Sequence, residues 1–173
     1  SCGAAALATV LRQAYWLDVN EDQIIKGMLQ NADQDLVRTQ GFSMLDMKRY
    51  VESIGMRARG YRIPAQSLES VNIPVVVLLD IRGYKHFVVL QRTQKDWVYI
   101  GDPVLGHKRY SHEDFIKGWN GIVFAIIGGF APTMGGMMLD GIRKIAPTGV
   151  MLMFAILYFG VMIHAGLFDP VVG

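Results

Sequence analysis

The one cysteine of this 173-residue sequence, Cys2, is the residue best placed to act as a nucleophile. A thiol attacks carbonyl carbon as the thiolate, and a helix N-terminus or a nearby imidazolium favours that form. Cys2 stands directly before an Ala- and Leu-rich stretch with helical spacing of its apolar residues, so we expect it at a helix start. Gly3 beside it would leave a backbone N–H accessible to an oxyanion. The alternative is a buried structural cysteine, which is the commoner fate of a lone cysteine.

A general base and a group that orients it are predicted at His86 and Asp102. His86 opens the apolar run Phe87-Val88-Val89-Leu90, which is typical of a core strand, and a polar residue there is costly without a partner. Asp102 follows in Gly101-Asp102-Pro103, at the end of the next predicted strand. Adjacent antiparallel strands can bring both side chains to one end of a sheet. The alternatives are a core histidine with its own partners and an ordinary Asp-Pro turn. The remaining histidines lie in loop, cap or apolar-tail contexts: His107, His112 and His164.

The elements that must position these residues change in period along the chain. Helical spacing and capping residues predict helices at residues 2–16, 20–30 and 43–54, followed by short helices at 64–70 and 111–118. Extended patterns predict strands at residues 56–62, 74–81, 85–92, 96–101 and 121–127, with a loop at 102–106. Helices followed by an antiparallel sheet indicate an α+β fold.

Charge and cysteine content narrow the functional classes. Lys plus Arg is 17 and Asp plus Glu is 15, a net charge of +2 that predicts no nucleic-acid partner. A single cysteine forms no intrachain disulfide. The sequence has no glycine-rich phosphate loop, so we expect no ATP binding. We also expect no cofactor and no metal.

The C-terminal part of the chain has a different composition. Residues 128–173 carry only four charged side chains, and 146–168 carry none, which is long enough for one transmembrane helix. We therefore predict a domain at 1–127, a linker at 128–145 and a transmembrane helix at 146–168. A buried hairpin or core helix is the alternative. Arg143 and Lys144 before this segment favour a bacterial membrane-associated protein with its N-terminal domain on the cytoplasmic side, the periplasmic side being the alternative.

Six short motifs in series resemble those of the C39 peptidase family, the bacteriocin-processing peptidases. They include the nucleophile motif at residues 1–7, the His-Phe-Val-Val-Leu motif at 86–90 and the Asp-Pro-x-x-Gly motif at 102–106. The others are a Gly-x-Ser helix start at 41–47, the segment 54–59 and a closing Trp-x-Gly at 119–121. The resemblance covers residues 1–127.

The resemblance implies a papain-like fold with helices packed on an antiparallel sheet. It implies Cys2 as nucleophile, His86 as base and then acid, and Asp102 as the residue that orients it. The implied substrates are leader peptides of secreted proteins, cut after a Gly-Gly-type pair, and an export machinery is the implied partner. The family's oxyanion glutamine lies upstream of the nucleophile, at positions before Ser1, so we expect the 173-residue chain to be weakly active or inert.

Residues 128–173 instead resemble an early segment of citrate–proton symporters. Three hypotheses follow. The first is a membrane-tethered thiol peptidase, the second a catalytically silent domain that binds a secretion substrate, and the third a fragment of, or fusion with, a membrane transporter.

Overall fold

The computed structural model describes residues 1–128, which form helices first and then a sheet. The five α-helices are α1 (Cys2–Tyr15), α2 (Glu21–Leu29), α3 (Gln34–Gln40), α4 (Met44–Ser53) and α5 (His112–Gly118), with a short 3-10 helix at Ala65–Ser70. The strands are β1 (Arg57–Arg62), β2 (Val75–Ile81), β3 (Tyr84–Gln94), β4 (Trp97–Asp102), β5 (Gly106–Ser111) and β6 (Trp119–Ile127).

The six strands form one sheet in the order β1-β6-β2-β3-β4-β5, with every neighbouring pair antiparallel. The predicted α+β class and antiparallel sheet are therefore confirmed. The predicted transmembrane helix at 146–168 and nearly all of the linker at 128–145 lie outside the described residues. Within residues 1–128, no helix has the length and apolar character needed to cross a membrane.

The starts of two helices follow the capping rules that the sequence indicated. The side chain of Asn20 accepts from the Gln23 backbone N–H, and the Gln23 side chain accepts from the Asn20 N–H. Ser43 and Asp46 form the same reciprocal box at α4. Each box satisfies backbone donors that a helix start otherwise leaves without partners.

The sheet separates two hydrophobic cores. On one face, α1, α2 and α4 pack against β1, β2 and β3, and the core includes Leu7, Leu11, Phe87 and Val89. On the other face, α5 and the 3-10 helix cover a second core that includes Val88, Leu90, Val98, Ile100 and Phe115. Alternate residues of a strand thus serve opposite cores, as the two-residue period of a strand requires.

A side-chain hydrogen bond fixes the far end of α1. The Tyr15 hydroxyl donates to the Ile126 carbonyl oxygen of β6, and burial raises the pKa of Tyr15 to about 12. The helix ends there because Trp16 takes a left-handed conformation, with φ 51°. Helix α1 is thereby tied to the sheet at its C-terminal end.

Two elements differ from the sequence-based expectation. Helix α3 was not predicted, because it buries no residue and so shows no apolar period; Asp33 starts it by accepting from two backbone N–H groups. Strand β5 was not predicted either, since it is an exposed polar edge strand held by backbone pairing to β4. The predicted loop is correspondingly shorter, because β5 already begins at Gly106.

Candidate active site

Strands β3 and β4 bring His86 and Asp102 together, as predicted. Their pairing places Val89 opposite Gly101, so the end of β4 lies beside the beginning of β3. His86 Nε2 lies 2.7 Å from Asp102 Oδ2. The two residues are 4% and 5% exposed, and they are the buried polar or charged residues of the described chain. A buried carboxylate accepts hydrogen bonds only, so the proton of this bond belongs to His86 Nε2.

The second oxygen of Asp102 is held by the following turn. Its Oδ1 accepts from the backbone N–H groups of Val104 at 2.8 Å and Leu105 at 3.0 Å. Burial raises the pKa of this carboxyl, but the hydrogen bonds from His86, Leu105 and Val104 and the charge of His86 outweigh it. The pKa of Asp102 therefore lies below its ordinary value, and the carboxyl stays ionised at neutral pH.

The other ring nitrogen of His86 is available for proton transfer. Among the described residues, Nδ1 has no hydrogen-bond partner although it is buried. In the neutral imidazole, a proton on Nε2 leaves the lone pair on Nδ1, which is what a general base needs. The Tyr84 ring packs on the imidazole with centroids 4.9 Å apart and covers one side of it.

Cys2 is the first residue of α1, as the sequence predicted, and its thiol is free and half-buried. It packs against the core that contains Phe87, the neighbour of His86. A Cβ built on Gly3 would stand 3.4 Å from Cδ2 of Phe87. The start of α1 therefore contacts β3 one residue from the imidazole. In the described part of the chain, no hydrogen bond joins Cys2 to His86.

The backbone around Cys2 and Gly3 belongs to the first turn of α1. N–H groups of a first turn have no partner within their helix, so they are suited to stabilising an oxyanion. The 3.4 Å contact at Gly3 is an ordinary van der Waals distance. Packing alone therefore leaves space for alanine at this position.

The other described histidines lie apart from this pair. His107 lies on the exposed strand β5, with its Nδ1 3.3 Å from Oε1 of Gln91 on β3. His112 Nε2 lies 3.8 Å from the exposed Glu69. His164 lies outside the described residues. Within residues 1–128, no group of three or more His, Cys, Asp and Glu side chains could hold a metal ion.

Three features of the site went unpredicted. They are the Tyr84 ring on His86 and the amides of Val104 and Leu105 on Asp102. The two amides had a signal, because an Asp that begins a turn often accepts from the N–H groups two and three residues on. Tyr84 had none, since an exposed aromatic at a strand start is common.

Comparison with known proteins places residues 1–128 in one group. The Peptidase C39 family matches these residues. The "Probable functional amyloid protease FapD" of Pseudomonas fluorescens is 78% identical over 128 residues, which make up 74% of this chain and 57% of that protein. The chain thus spans little more than half the length of this relative.

A solved structure and a transporter give two further similarities. The crystal structure of a double glycine motif protease from an AMS/PCAT transporter, in complex with the leader peptide, has a TM-score of 0.60 and 27% identity, covering 73% of this chain and 83% of that one. The "Mg(2+)/citrate complex secondary transporter" of Bacillus subtilis is 66% identical over 53 residues, 30% of this chain and 12% of that protein. The predicted resemblance of a segment to citrate transporters is thereby confirmed.

Proposed function

The chain belongs to the peptidase C39 family, and from that membership we propose that residues 1–128 act as a cysteine peptidase with Cys2, His86 and Asp102 as its catalytic triad. The observation that carries the proposal is the buried His86–Asp102 pair, with its 2.7 Å hydrogen bond, beside the start of the helix that holds the thiol. The pair fixes the imidazole tautomer that a general base requires.

The proposed reaction has two halves. His86 Nδ1 takes the proton of the Cys2 thiol, and the thiolate attacks the scissile carbonyl to form a tetrahedral oxyanion. N–H groups at the start of α1 stabilise that oxyanion. The peptide C–N bond then breaks, His86 gives its proton to the departing amine, and the acyl group stays on Cys2 as a thioester. Water, deprotonated by the same imidazole, hydrolyses the thioester and regenerates the thiol.

The first proton transfer requires Sγ of Cys2 and Nδ1 of His86 to come within hydrogen-bond distance. Catalytic hydrogen bonds often tighten only when substrate binds, so the lack of a Cys2–His86 hydrogen bond in the described residues is compatible with this step. Full rate also requires the family's oxyanion glutamine. One such donor contributes about 100- to 1000-fold in rate.

The proposed substrate is the leader peptide of a secreted protein, cut after a Gly-Gly-type pair. Support comes from the solved relative, which is a double glycine motif protease in complex with the leader peptide. The name of the Pseudomonas fluorescens relative points to a functional amyloid as the context of such processing. An export machinery is the proposed partner, and no nucleic acid is proposed.

A catalytically silent domain that binds a secretion substrate is the second candidate. The missing hydrogen bond between Cys2 and His86, within the described residues, favours it. The presence of Cys2 and of the complete His86–Asp102 pair favours the enzyme, since a domain that only binds needs neither.

We also retain the membrane attachment through residues 146–168 as a proposal, with the N-terminal domain on the cytoplasmic side. The transporter similarity of a 53-residue segment supports a fusion of peptidase and transporter sequences. Deleting residues 129–173 tests whether the peptidase part depends on them. If residues 1–128 alone fold and cleave peptide at an unchanged, His86-dependent rate, the peptidase part does not depend on residues 129–173.

Cleavage of synthetic peptides with an internal Gly-Gly pair tests the proposal. The assay uses the 173-residue chain and a chain extended before Ser1 by a segment that supplies the family's oxyanion glutamine. We expect faster cleavage by the extended chain and none by its Cys2→Ala variant. Cleavage that survives Cys2→Ala contradicts the proposal.

A further inference from the structure

The part of the sheet formed by β3, β4 and β5 carries exposed arginines stacked on aromatic rings. The Arg92 guanidinium lies 4.1 Å from the centre of the Tyr99 ring, and that of Arg109 lies 4.2 Å from the centre of the Trp97 ring. We call these four residues the Arg–aromatic face. Stacking of this kind holds a guanidinium in a fixed position while leaving its N–H groups available to a ligand.

The orientation of these side chains follows from the strand pattern. Val98 and Ile100 of β4 lie in the second core, so Trp97 and Tyr99 point to the opposite face, the one that carries α1. The helices on that face contact mainly β1, β2 and β3. The Arg–aromatic face on β4 and β5 is therefore largely uncovered, and Trp97 remains 38% exposed.

A bulge in β3 adds Arg92 to this face. Leu90 pairs with Ile100, but Arg92 pairs with Tyr99, so Gln91 is an extra residue in the strand. Without the extra residue, Arg92 would continue the alternation of Val88 and Leu90 and point into the second core. Bulges re-aim side chains in this way and recur next to active sites.

The charge of the face is uncompensated. Among the described residues, neither Arg92 nor Arg109 forms an ion pair with a carboxylate. Arg92 Nη1 donates to the neutral side chain of Gln94 at 3.1 Å. Two positioned guanidiniums without carboxylates suit a ligand with carboxylates of its own.

We propose that the Arg–aromatic face binds an acidic segment of the peptide substrate while the scissile bond lies at Cys2. This inference rests on the proposed peptidase function. Cys2 packs against the core on the α1 face, to which Trp97 and Tyr99 also point. Along the β4 backbone, Tyr99 and Trp97 lie three and five residues from Asp102, about 10–17 Å, while the Asp102 side chain alternates with Val98 and Ile100 and points to the other face. An extended peptide covers that distance in about three to five residues, which fixes where its acidic residues should be.

Peptide binding measured by fluorescence anisotropy tests this inference, with the 173-residue chain carrying Cys2→Ala to prevent cleavage. The probe is a synthetic peptide with a Gly-Gly pair and glutamates about three to five residues from it. The matched probe has glutamine at the same positions. We expect Arg92→Gln with Arg109→Gln to raise the Kd of the acidic peptide about three- to tenfold and to leave the glutamine peptide unaffected.

The matched control is Arg57→Gln with Arg59→Gln, which removes two exposed arginines from β1 at the opposite edge of the sheet. We expect it to change neither Kd. Added salt should weaken binding of the acidic peptide to the chain with all four arginines present. This salt test does not depend on whether a double variant folds. Equal losses in the two double variants, equal affinity for the two peptides, or tighter binding of a single-stranded oligonucleotide overturns the inference.

The outcome separates this inference from the peptidase proposal. If Gly-Gly peptides are cleaved with a KM that Arg92→Gln and Arg109→Gln do not change, the peptidase proposal stands and binding at the Arg–aromatic face is contradicted. If binding depends on the two arginines but the extended chain cleaves no peptide, the peptidase proposal is contradicted and binding at the Arg–aromatic face stands.

Discussion

The described domain contains two His–carboxylate pairs that differ in nearly every physical respect. His86 and Asp102 lie 2.7 Å apart with side chains 4% and 1% exposed. His112 and Glu69 lie 3.8 Å apart with side chains 22% and 64% exposed. The first pair joins two neighbouring strand ends, whereas the second joins the start of α5 to the 3-10 helix.

The difference between the two pairs shows which properties allow a histidine and a carboxylate to act in catalysis. Water competes for Glu69 and screens its charge, so that pair fixes neither tautomer nor orientation. Asp102 is buried and receives two backbone N–H groups in addition to the imidazole, so its position and its charge are both fixed. Proximity of the two residue types is thus not sufficient, and burial with fixed partners is what distinguishes the site.

The largest expected effect separates the two pairs by catalysis. In the extended chain, His86→Ala should lower kcat/KM for a Gly-Gly peptide by about 1000-fold or more, because it removes the base. His112→Ala should leave it within about twofold, since His112 lies apart from the His86–Asp102 pair and its partner Glu69 is exposed. Initial rates of peptide cleavage measure both, and equal losses would mean that the two pairs do not differ in function.

Stability should separate the carboxylates as well. Asp102→Ala leaves His86 and the amides of Val104 and Leu105 without their acceptor, so we expect a loss of about 2–3 kcal/mol in the free energy of unfolding. Glu69→Ala should change it by no more than about 0.5 kcal/mol. Urea unfolding followed by circular dichroism measures the difference. A neutral Asp102→Ala would show that its hydrogen bonds do not hold the turn.

A glycine near the His112–Glu69 pair allows stability to be changed without changing the catalytic residues. A Cβ on Gly118, at the end of α5, would stand 2.7 Å from the backbone oxygen of Asp80, which cannot move aside freely. We expect Gly118→Ala to lower the free energy of unfolding by about 1–2 kcal/mol. Cleavage measured below the unfolding temperature should be unchanged. Gly83→Ala is no suitable control, because Gly83 has a positive φ of its own.

The smallest expected effect is on the acid limb of stability. The folded pKa of Asp102 lies below its unfolded value, so its contribution is present above the unfolded pKa and is lost as pH falls through the folded pKa. The stability difference between wild type and Asp102→Asn should therefore be constant near neutral pH. It should narrow below about pH 4, the ordinary range of the carboxyl. Thermal unfolding across pH measures it, and a gap that widens in acid contradicts the sign.

The core strand that carries His86 and the starts of two helices could be predicted from the sequence, because their signals are local. The apolar run after His86 predicted a core strand, and the capping boxes at Asn20 and Ser43 predicted two helix starts. Helix α3 and strand β5 have no apolar period, so their existence depends on capping and on pairing with β4. The sequence resemblance also correctly indicated the family of residues 1–128.

Features that depend on geometry across strands were not readable. The extra residue in β3 decides which face Arg92 occupies, and nothing in the sequence around Gln91 marks a bulge. The position of Tyr84 over the imidazole likewise depends on how β3 begins. Side-chain orientation at a strand end is set by register and twist, which residue types alone do not specify.

Activation of Cys2 by the His86–Asp102 pair can be tested by covalent trapping. A peptide ending in Gly-Gly-chloromethyl ketone is incubated with the extended chain and its variants, and the adduct is located by mass spectrometry. We expect one adduct, on Cys2, whose formation is slowed at least about tenfold by His86→Ala and is unaffected by His112→Ala. An adduct that forms on Cys2 at the same rate in both variants would contradict it.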